Sequence, residues 1–172
     1  MPDHDPAADA RTAENSSEFL CFAIYAASHA FTRVYKPLLD AVGLTYPQYL
    51  VMVQLWKKDD QTVGNLGDRL FLESSTLTPL LKRLEALGVL RRSRDPDDER
   101  QVRIRLTDHG RSLRHRAADI PRCIAAASGL TSGDARRLLD EMTALRKSLE
   151  SHALSGQHNQ SAHQAGNQPS GR

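Results

Sequence analysis

Ser74-Ser75-Thr76-Leu77-Thr78-Pro79-Leu80-Leu81-Lys82-Arg83-Leu84-Glu85-Ala86-Leu87-Gly88 reads as one short helix with two unlike faces. Leu77, Leu80, Leu81, Leu84 and Leu87 recur at helical spacing and form the face to be buried. Ser74 or Ser75 supplies the cap, Gly88 the stop, and Pro79 is tolerated because it falls close to the first turn. With the leucines inward, Ser75, Thr76, Thr78, Pro79, Lys82 and Arg83 are the outward candidates. Just upstream, Thr62 caps a shorter helix, Val63–Leu70, with Val63, Leu66 and Leu70 inward. Just downstream, residues 89–94 and 101–106 flank a turn at 95–98. Val102, Ile104 and Leu106 alternate with Gln101, Arg103 and Arg105, the period of a half-buried strand, so the pair reads as a β-hairpin.

Short helix, tight break, second helix and basic hairpin is the order of a winged helix-turn-helix. Small hydroxyl side chains at the start of the second helix allow close approach to base edges, and a helix N-terminus attracts phosphate. The hairpin sets Arg91, Arg92, Arg94, Arg100, Arg103 and Arg105 against Asp95, Asp97, Asp98 and Glu99, a local excess equal to the +2 of the whole chain. An arginine at the wing suits the negative potential of a narrow minor groove. Any one of these arginines is as well explained by solvation. Helix pair and wing together point to double-stranded DNA.

The rest of the chain supplies the frame. Its 172 residues favour one domain plus tails. With 23 Lys and Arg against 21 Asp and Glu, bulk charge announces no nucleic-acid binder, so the basic patch must be local. No apolar run approaches the roughly 20 residues that span a bilayer, and the start lacks a signal-peptide pattern. No membrane partner is expected. Two well-separated cysteines make neither a metal box nor a disulfide framework, which suggests reduced thiols and the cytoplasm. No metal or cofactor is expected.

Composition divides the chain into a disordered tail at 1–14, a folded domain at 15–151 and a second disordered tail at 152–172. Asn15 with Glu18 reads as a capping box. Leu20, Ile24, Ala27, Phe31, Val34 and Leu38 then form a stripe spaced for helix–helix packing. Thr45-Tyr46-Pro47-Gln48 opens a second helix, and 59–61 reads as a turn. A fifth helix starts at Thr107 and a sixth at Thr131 or Ser132. The expected fold is mainly α with a small β-wing: six helices, with dimerisation helices at 16–42 and 108–150 around a DNA-binding lobe at 46–106. The apolar stripes of the first and last helices exceed what one compact lobe can cover, which calls for a homodimer.

Three stretches carry a resemblance: Leu-Thr-Tyr-Pro-Gln-Tyr at 44–49, Thr-Leu-Thr-Pro-Leu-Leu-Lys-Arg-Leu-Glu at 76–85, and Arg-Asp-Pro-Asp-Asp-Glu-Arg from 94 to 100. They resemble the MarR family, and within it the OhrR-type repressors that sense organic hydroperoxides. Asp98-Glu99-Arg100 matches the Asp-x-Arg signature of the wing. The resemblance implies that Arg100 enters the minor groove while Asp98 helps fix it. It also implies a homodimer whose recognition helices read adjacent major grooves of a near-palindromic operator. Leu20-Cys21-Phe22-Ala23 places a cysteine where the peroxide-sensing branch has one.

In that branch the sensing cysteine, here Cys21, is oxidised as the thiolate to a sulfenic acid. Phenols support the thiolate, with Tyr25, Tyr35 and Tyr46 as candidates. Tyr35 lies fourteen residues beyond Cys21, about 21 Å along one straight helix at 1.5 Å per residue. A contact between them needs a second, antiparallel subunit, and the resemblance implies this arrangement for Tyr35 and Tyr46. It also implies that Cys123, late in helix five, resolves the sulfenic acid into a disulfide between subunits. Phe19, Phe22 and Phe31 suit an organic hydroperoxide over hydrogen peroxide. Taken alone, each cysteine reads as a small buried hydrophobe. A repressor of the same family that senses a small aromatic ligand, a thiol peroxidase, and an activator are the rival readings. The peroxidase is disfavoured because a wing gives it nothing.

Overall fold

A computed structural model describes the backbone of residues 6–165 and the side chains of residues 19–153. The elements run α1 (Pro6–Asp40), α2 (Tyr46–Lys57), β1 (Gln61–Thr62), α3 (Val63–Leu70), α4 (Ser74–Ala86), β2 (Leu90–Arg94), β3 (Val102–Leu106), α5 (Asp108–Arg116), α6 (Ile120–Ser128) and α7 (Ser132–Ala165). Contacts divide the chain into two units, Met1–Ala127 and Ser128–Arg172. The winged-helix architecture is as expected. The side chains of the two expected tails lie almost wholly outside the described residues, and the described backbone of 6–14 and 152–165 is helical. Asn15, read as a cap, therefore sits inside α1, which starts at Pro6, a residue suited to a first helical position.

In the first unit, α1 ends where Leu44 N–H bonds back to the Leu39 carbonyl at 3.1 Å and Gly43 takes φ +73°. α2 opens as its sequence suggests: the Gln48 side chain accepts from Thr45 N–H at 2.8 Å, with Pro47 in the first turn. Val51, Met52, Leu66, Leu77, Leu81, Leu84 and Ile104 are fully buried and join α2, α3, α4 and the hairpin in one core. α5 presses against the start of the wing so closely that a Cβ on Gly110 would run into the Val89 carbonyl. Trp56 Nε1 donates to the Gly110 carbonyl at 2.8 Å and ties α2 to the same spot.

Four local expectations change. The sheet has three strands in the order β1-β3-β2, because Gln61 and Thr62, read as the end of a turn and a helix cap, pair antiparallel with Ile104 and Arg103. The N-cap of α4 is Glu73 rather than Ser74 or Ser75, so both serines fall within the helix. Leu87 is 46% exposed, since the helix stops at Ala86 and Leu87 turns the chain toward Gly88 at φ +69°. The expected fifth helix comes in two pieces, α5 and α6, broken at 117–119. Pro121 disfavours helical geometry at Ile120 and offers no N–H, so the chain restarts there with proline in a first turn. Cys123 therefore lies on α6.

Candidate DNA interface and thiol site

The recognition pair is held by a tight turn. Thr62 Oγ1 accepts from Asn65 N–H at 3.2 Å and caps α3. α3 ends on Phe71, in the left-handed region at φ 56°, and Leu72 N–H returns to the Gly67 carbonyl at 3.0 Å. A Cβ on Gly67 would lie 2.9 Å from the Leu72 carbonyl oxygen, so the turn needs glycine there. α4 then starts with no side chain capping its first turn. The Glu73 carbonyl takes the Thr76 N–H at 3.0 Å, which leaves the N–H groups of Ser74 and Ser75 for an outside acceptor. Ser75, Thr76, Pro79, Lys82 and Arg83 are exposed and Thr78 is half-buried, the outward face expected from the leucine pattern.

The wing pairs Leu90 to Arg94 with Leu106 to Val102 in antiparallel register. Its arginines divide into two groups. Arg92 takes Glu85 by backbone and side chain, both at 2.8 Å. Arg103 bonds Asp60 at 2.6 Å and Asp95 at 2.9 Å, and Arg105 reaches Asp60 at 3.0 Å. These three hold the hairpin to α4 and to the α2–β1 turn. Arg91, Arg94 and Arg100 point away from the fold and are exposed. Arg100 is 92% exposed in its side chain, yet its backbone N–H and Nε both meet Asp98 Oδ1, at 3.1 and 3.2 Å. Gln101 Nε2 holds the other Asp98 oxygen at 3.1 Å. Asp98 thus presents Arg100 outward in a fixed pose.

Hydrogen bonds from arginine lower the carboxyl pKa of Asp60, Glu85 and Asp95 below the usual range, and Gln101 and Arg100 do the same for Asp98. Between the recognition pair and the wing runs a groove of about 380 Å³ lined by Thr62, Ser74, Thr78, Arg92 and Arg100 among others. Sequence reasoning found the outward arginines but missed Asp59, Asp60 and Glu85. The partners of Asp59 and Asp60 lie more than forty residues along the chain, and Glu85 meets Arg92 across the turn from α4 into β2, so no helix or strand period marks them.

The thiol site is split. Cys21 and Cys123 are both free and exposed, so neither fills the protomer's own core. Phe19 and Phe22 beside Cys21 are 73% and 69% exposed. Tyr25, one turn on, packs its ring against His29 at 4.3 Å between centroids. Tyr35 and Tyr46 stand together at 4.7 Å, with Tyr49 at 5.8 Å from Tyr35. Burial, with the neighbouring phenols, pushes Tyr35 up to about 12, and burial raises Tyr46 and Tyr49 as well. Tyr49 was missed, although its spacing of three from Tyr46 on α2 is a usable sign.

Among the described residues, no helix is long and apolar enough to cross a membrane, and no group of His, Cys, Asp or Glu could hold a metal ion.

The family model for SarA/Rot transcriptional regulators matches residues 33–116. The organic hydroperoxide resistance transcriptional regulator of Bacillus subtilis is 44% identical over 130 residues, 76% of this chain and 88% of the relative. The chain belongs to the MarR family, in its OhrR-type branch. The transcriptional regulator TtmR of Methylorubrum extorquens is 52% identical over 134 residues, 78% of this chain and 69% of TtmR. AbfR of Staphylococcus epidermidis, reduced and bound to DNA, superposes with a TM-score of 0.71 at 35% identity, over 81% of this chain and 97% of AbfR. Its disulfide form superposes with a TM-score of 0.58 at 33% identity, over 84% and 99%. This MarR-type protein is a DNA-binding transcriptional regulator and not an enzyme.

Proposed function

We propose that the chain is a homodimeric repressor that binds double-stranded operator DNA when reduced and releases it when an organic hydroperoxide oxidises Cys21. Ser75, Thr76, Thr78 and Pro79 face base edges and phosphates of the major groove, Lys82, Arg83 and Arg94 take phosphates, and Arg100, fixed by Asp98, enters the minor groove. The cytoplasm, where DNA and reduced thiols coexist, is the expected compartment.

The thiolate of Cys21 attacks one peroxide oxygen. An S–O bond forms, the O–O bond breaks, an alcohol leaves, and a sulfenic acid remains. The partner's Cys123 attacks that sulfur as a thiolate. An S–S bond forms and water leaves, so two thiols have been oxidised and one hydroperoxide reduced to an alcohol. The disulfide draws α6 toward the partner's α1 and shifts the DNA-binding lobes.

The observation that carries this reading is the separation of thiol and phenols. Tyr35 and Tyr46 are paired, and the raised pKa keeps Tyr35 protonated as a donor. Cys21 lies about 21 Å away along the same helix, at 1.5 Å per residue, on an exposed apolar face. An antiparallel second α1 closes that distance and covers that face.

The test is operator binding by Cys21→Ser before and after organic hydroperoxide. The variant binds like the reduced wild type and stays bound after oxidant. A variant that lets go of DNA as the wild type does refutes the assignment of Cys21.

A further inference from the structure

β3 runs into α5 through one residue, Thr107. A single-residue connection is a pivot unless something spans it. The α2–β1 turn spans it. On the wing side, Asp59 Oδ1 accepts the Leu106 N–H at 2.8 Å; on the α5 side, Asp59 Oδ2 takes the Arg111 guanidinium at 2.8 Å. The Asp60 N–H also donates to Asp59 Oδ1 at 2.8 Å, so the carboxylate is held from two directions and cannot swing to follow Arg111.

The next residue continues the span. Asp60 sits in the left-handed region at φ 56°, which turns its carboxylate onto β3. There it meets Arg103 at 2.6 Å and Arg105 at 3.0 Å, while its carbonyl accepts from Arg103 Nη2 at 3.0 Å. Arg103 reaches on to Asp95 at 2.9 Å, where the wing loop begins. That loop ends on the Asp98–Arg100 pair. Hydrogen bonds to carboxylates therefore run from α5 to Asp95, and the wing loop, whose Asp97 N–H donates to Asp95 Oδ1 at 2.9 Å, carries on to the exposed arginine.

We propose that the Asp59-Asp60 turn is a brace that makes the wing follow α5, with Asp59, Asp60 and Arg111 as the residues that couple the two elements. The inference rests on the redox reading above, because α5 reaches α6 and Cys123 through the turn at 117–119, which is hydrogen-bonded: Ala118 N–H donates to the His115 carbonyl at 3.3 Å and Ile120 N–H to the Ala117 carbonyl at 3.2 Å. When the disulfide displaces α6, α5 moves with it. Thr107 is itself held at the start of the wing, its N–H on the Val89 carbonyl at 3.2 Å and its hydroxyl on the Gly88 carbonyl at 2.6 Å, and the brace carries the motion on along β3. The Arg111–Asp59 pair is about half exposed, and such a pair contributes little stability alone. Its effect comes from joining a fixed carboxylate to a helix that moves.

The experiment uses full-length Arg111→Gln, Arg111→Lys and Asp108→Asn, the last removing only the neighbouring pair within α5. Operator Kd is measured for each, reduced and after organic hydroperoxide. In Arg111→Gln the reduced Kd stays within about two-fold of wild type, and the oxidised-to-reduced ratio falls about three-fold, the size a surface ion pair supports. Arg111→Lys and Asp108→Asn keep the wild-type ratio. A full ratio in Arg111→Gln, or a loss of reduced binding as large as the loss of ratio, overturns the brace. Wild type that stays on DNA after oxidant sinks the redox reading instead. A second readout then decides the brace by itself. Hydrogen exchange of the Leu106 amide speeds up in Arg111→Gln while α2 to α4 are unchanged, and an unaltered Leu106 rate overturns the proposal.

Discussion

Around the wing, Arg92, Arg103 and Arg105 are each paired with a carboxylate of the same chain, and Ile104 and Leu106 are buried beneath them. Along the first described turns of α1, Phe19, Leu20, Phe22 and Phe31 face outward. Apart from the outward Arg91 and Arg94, the first region pairs its arginines and covers its apolar side chains within one protomer. The second leaves apolar area in water, at a cost of about 25 cal/mol per Å² that a partner surface would recover. The DNA-reading lobe is thus a finished object, whereas the sensing surface is half of one. On the proposed redox reading, a signal from the unfinished surface reaches the finished one through packed elements, and α5, tied to the α2–β1 turn by Arg111, is the one that continues toward Cys123.

The largest effect that tests this contrast comes from Phe31→Asp. A charge in the middle of the apolar stripe prevents close helix packing. Sedimentation shows a folded monomer, and operator affinity drops by roughly 30-fold or more, the loss of one interface hot spot. A dimer of unchanged affinity would place the partner surface elsewhere. Arg100→Ala has a smaller effect, about ten-fold at physiological salt, with the slope of log K against log salt reduced by about one. It leaves dimerisation and thermal stability alone, because Arg100 bonds only within the wing loop. Unchanged affinity removes Arg100 from the interface.

The smallest effect is a pH profile that differs between the two regions. Asp60, Asp95, Asp98 and Glu85 have folded pKa values lowered by their partners. Their stabilisation is present above the ordinary carboxylate range and is lost as pH falls through it and below. Acid therefore loosens the wing first. Tyr35 is shifted the other way, to about 12 from 10.0. Its contribution is whole below pH 10 and is lost as pH climbs toward 12, so alkali loosens the phenol cluster first. Amide exchange at pH 4 and tyrosinate absorbance in alkali check the two halves. Simultaneous loss at either extreme contradicts the regional picture.

What was legible in the sequence follows the range of the interactions. The leucine face of α4 up to Leu84, the Thr45–Gln48 cap and the alternation in β3 depend on neighbours within a turn or a strand, and each formed as read. β1 is two residues long, too short for any period to register. Glu73 caps through its backbone position, which a preference for serine hides. The pairing of Arg103 and Arg105 depends on Asp60, more than forty residues away. The thiol site shows the same limit one level up. The family resemblance singles out Cys21, Tyr35 and Tyr46, and within one chain the two tyrosines meet while Cys21 stands exposed on α1.

The most direct measurement mixes two inactive halves. Cys21→Ser and Cys123→Ser proteins are unfolded, refolded together in equal amounts, treated with an organic hydroperoxide and run on a non-reducing gel. The account predicts a covalent dimer in the mixture, joined by Cys21 of one chain and Cys123 of the other, and none in either protein alone. A mixture that stays monomeric on the gel, while wild type forms its disulfide within one chain, would contradict a thiol site assembled from two protomers.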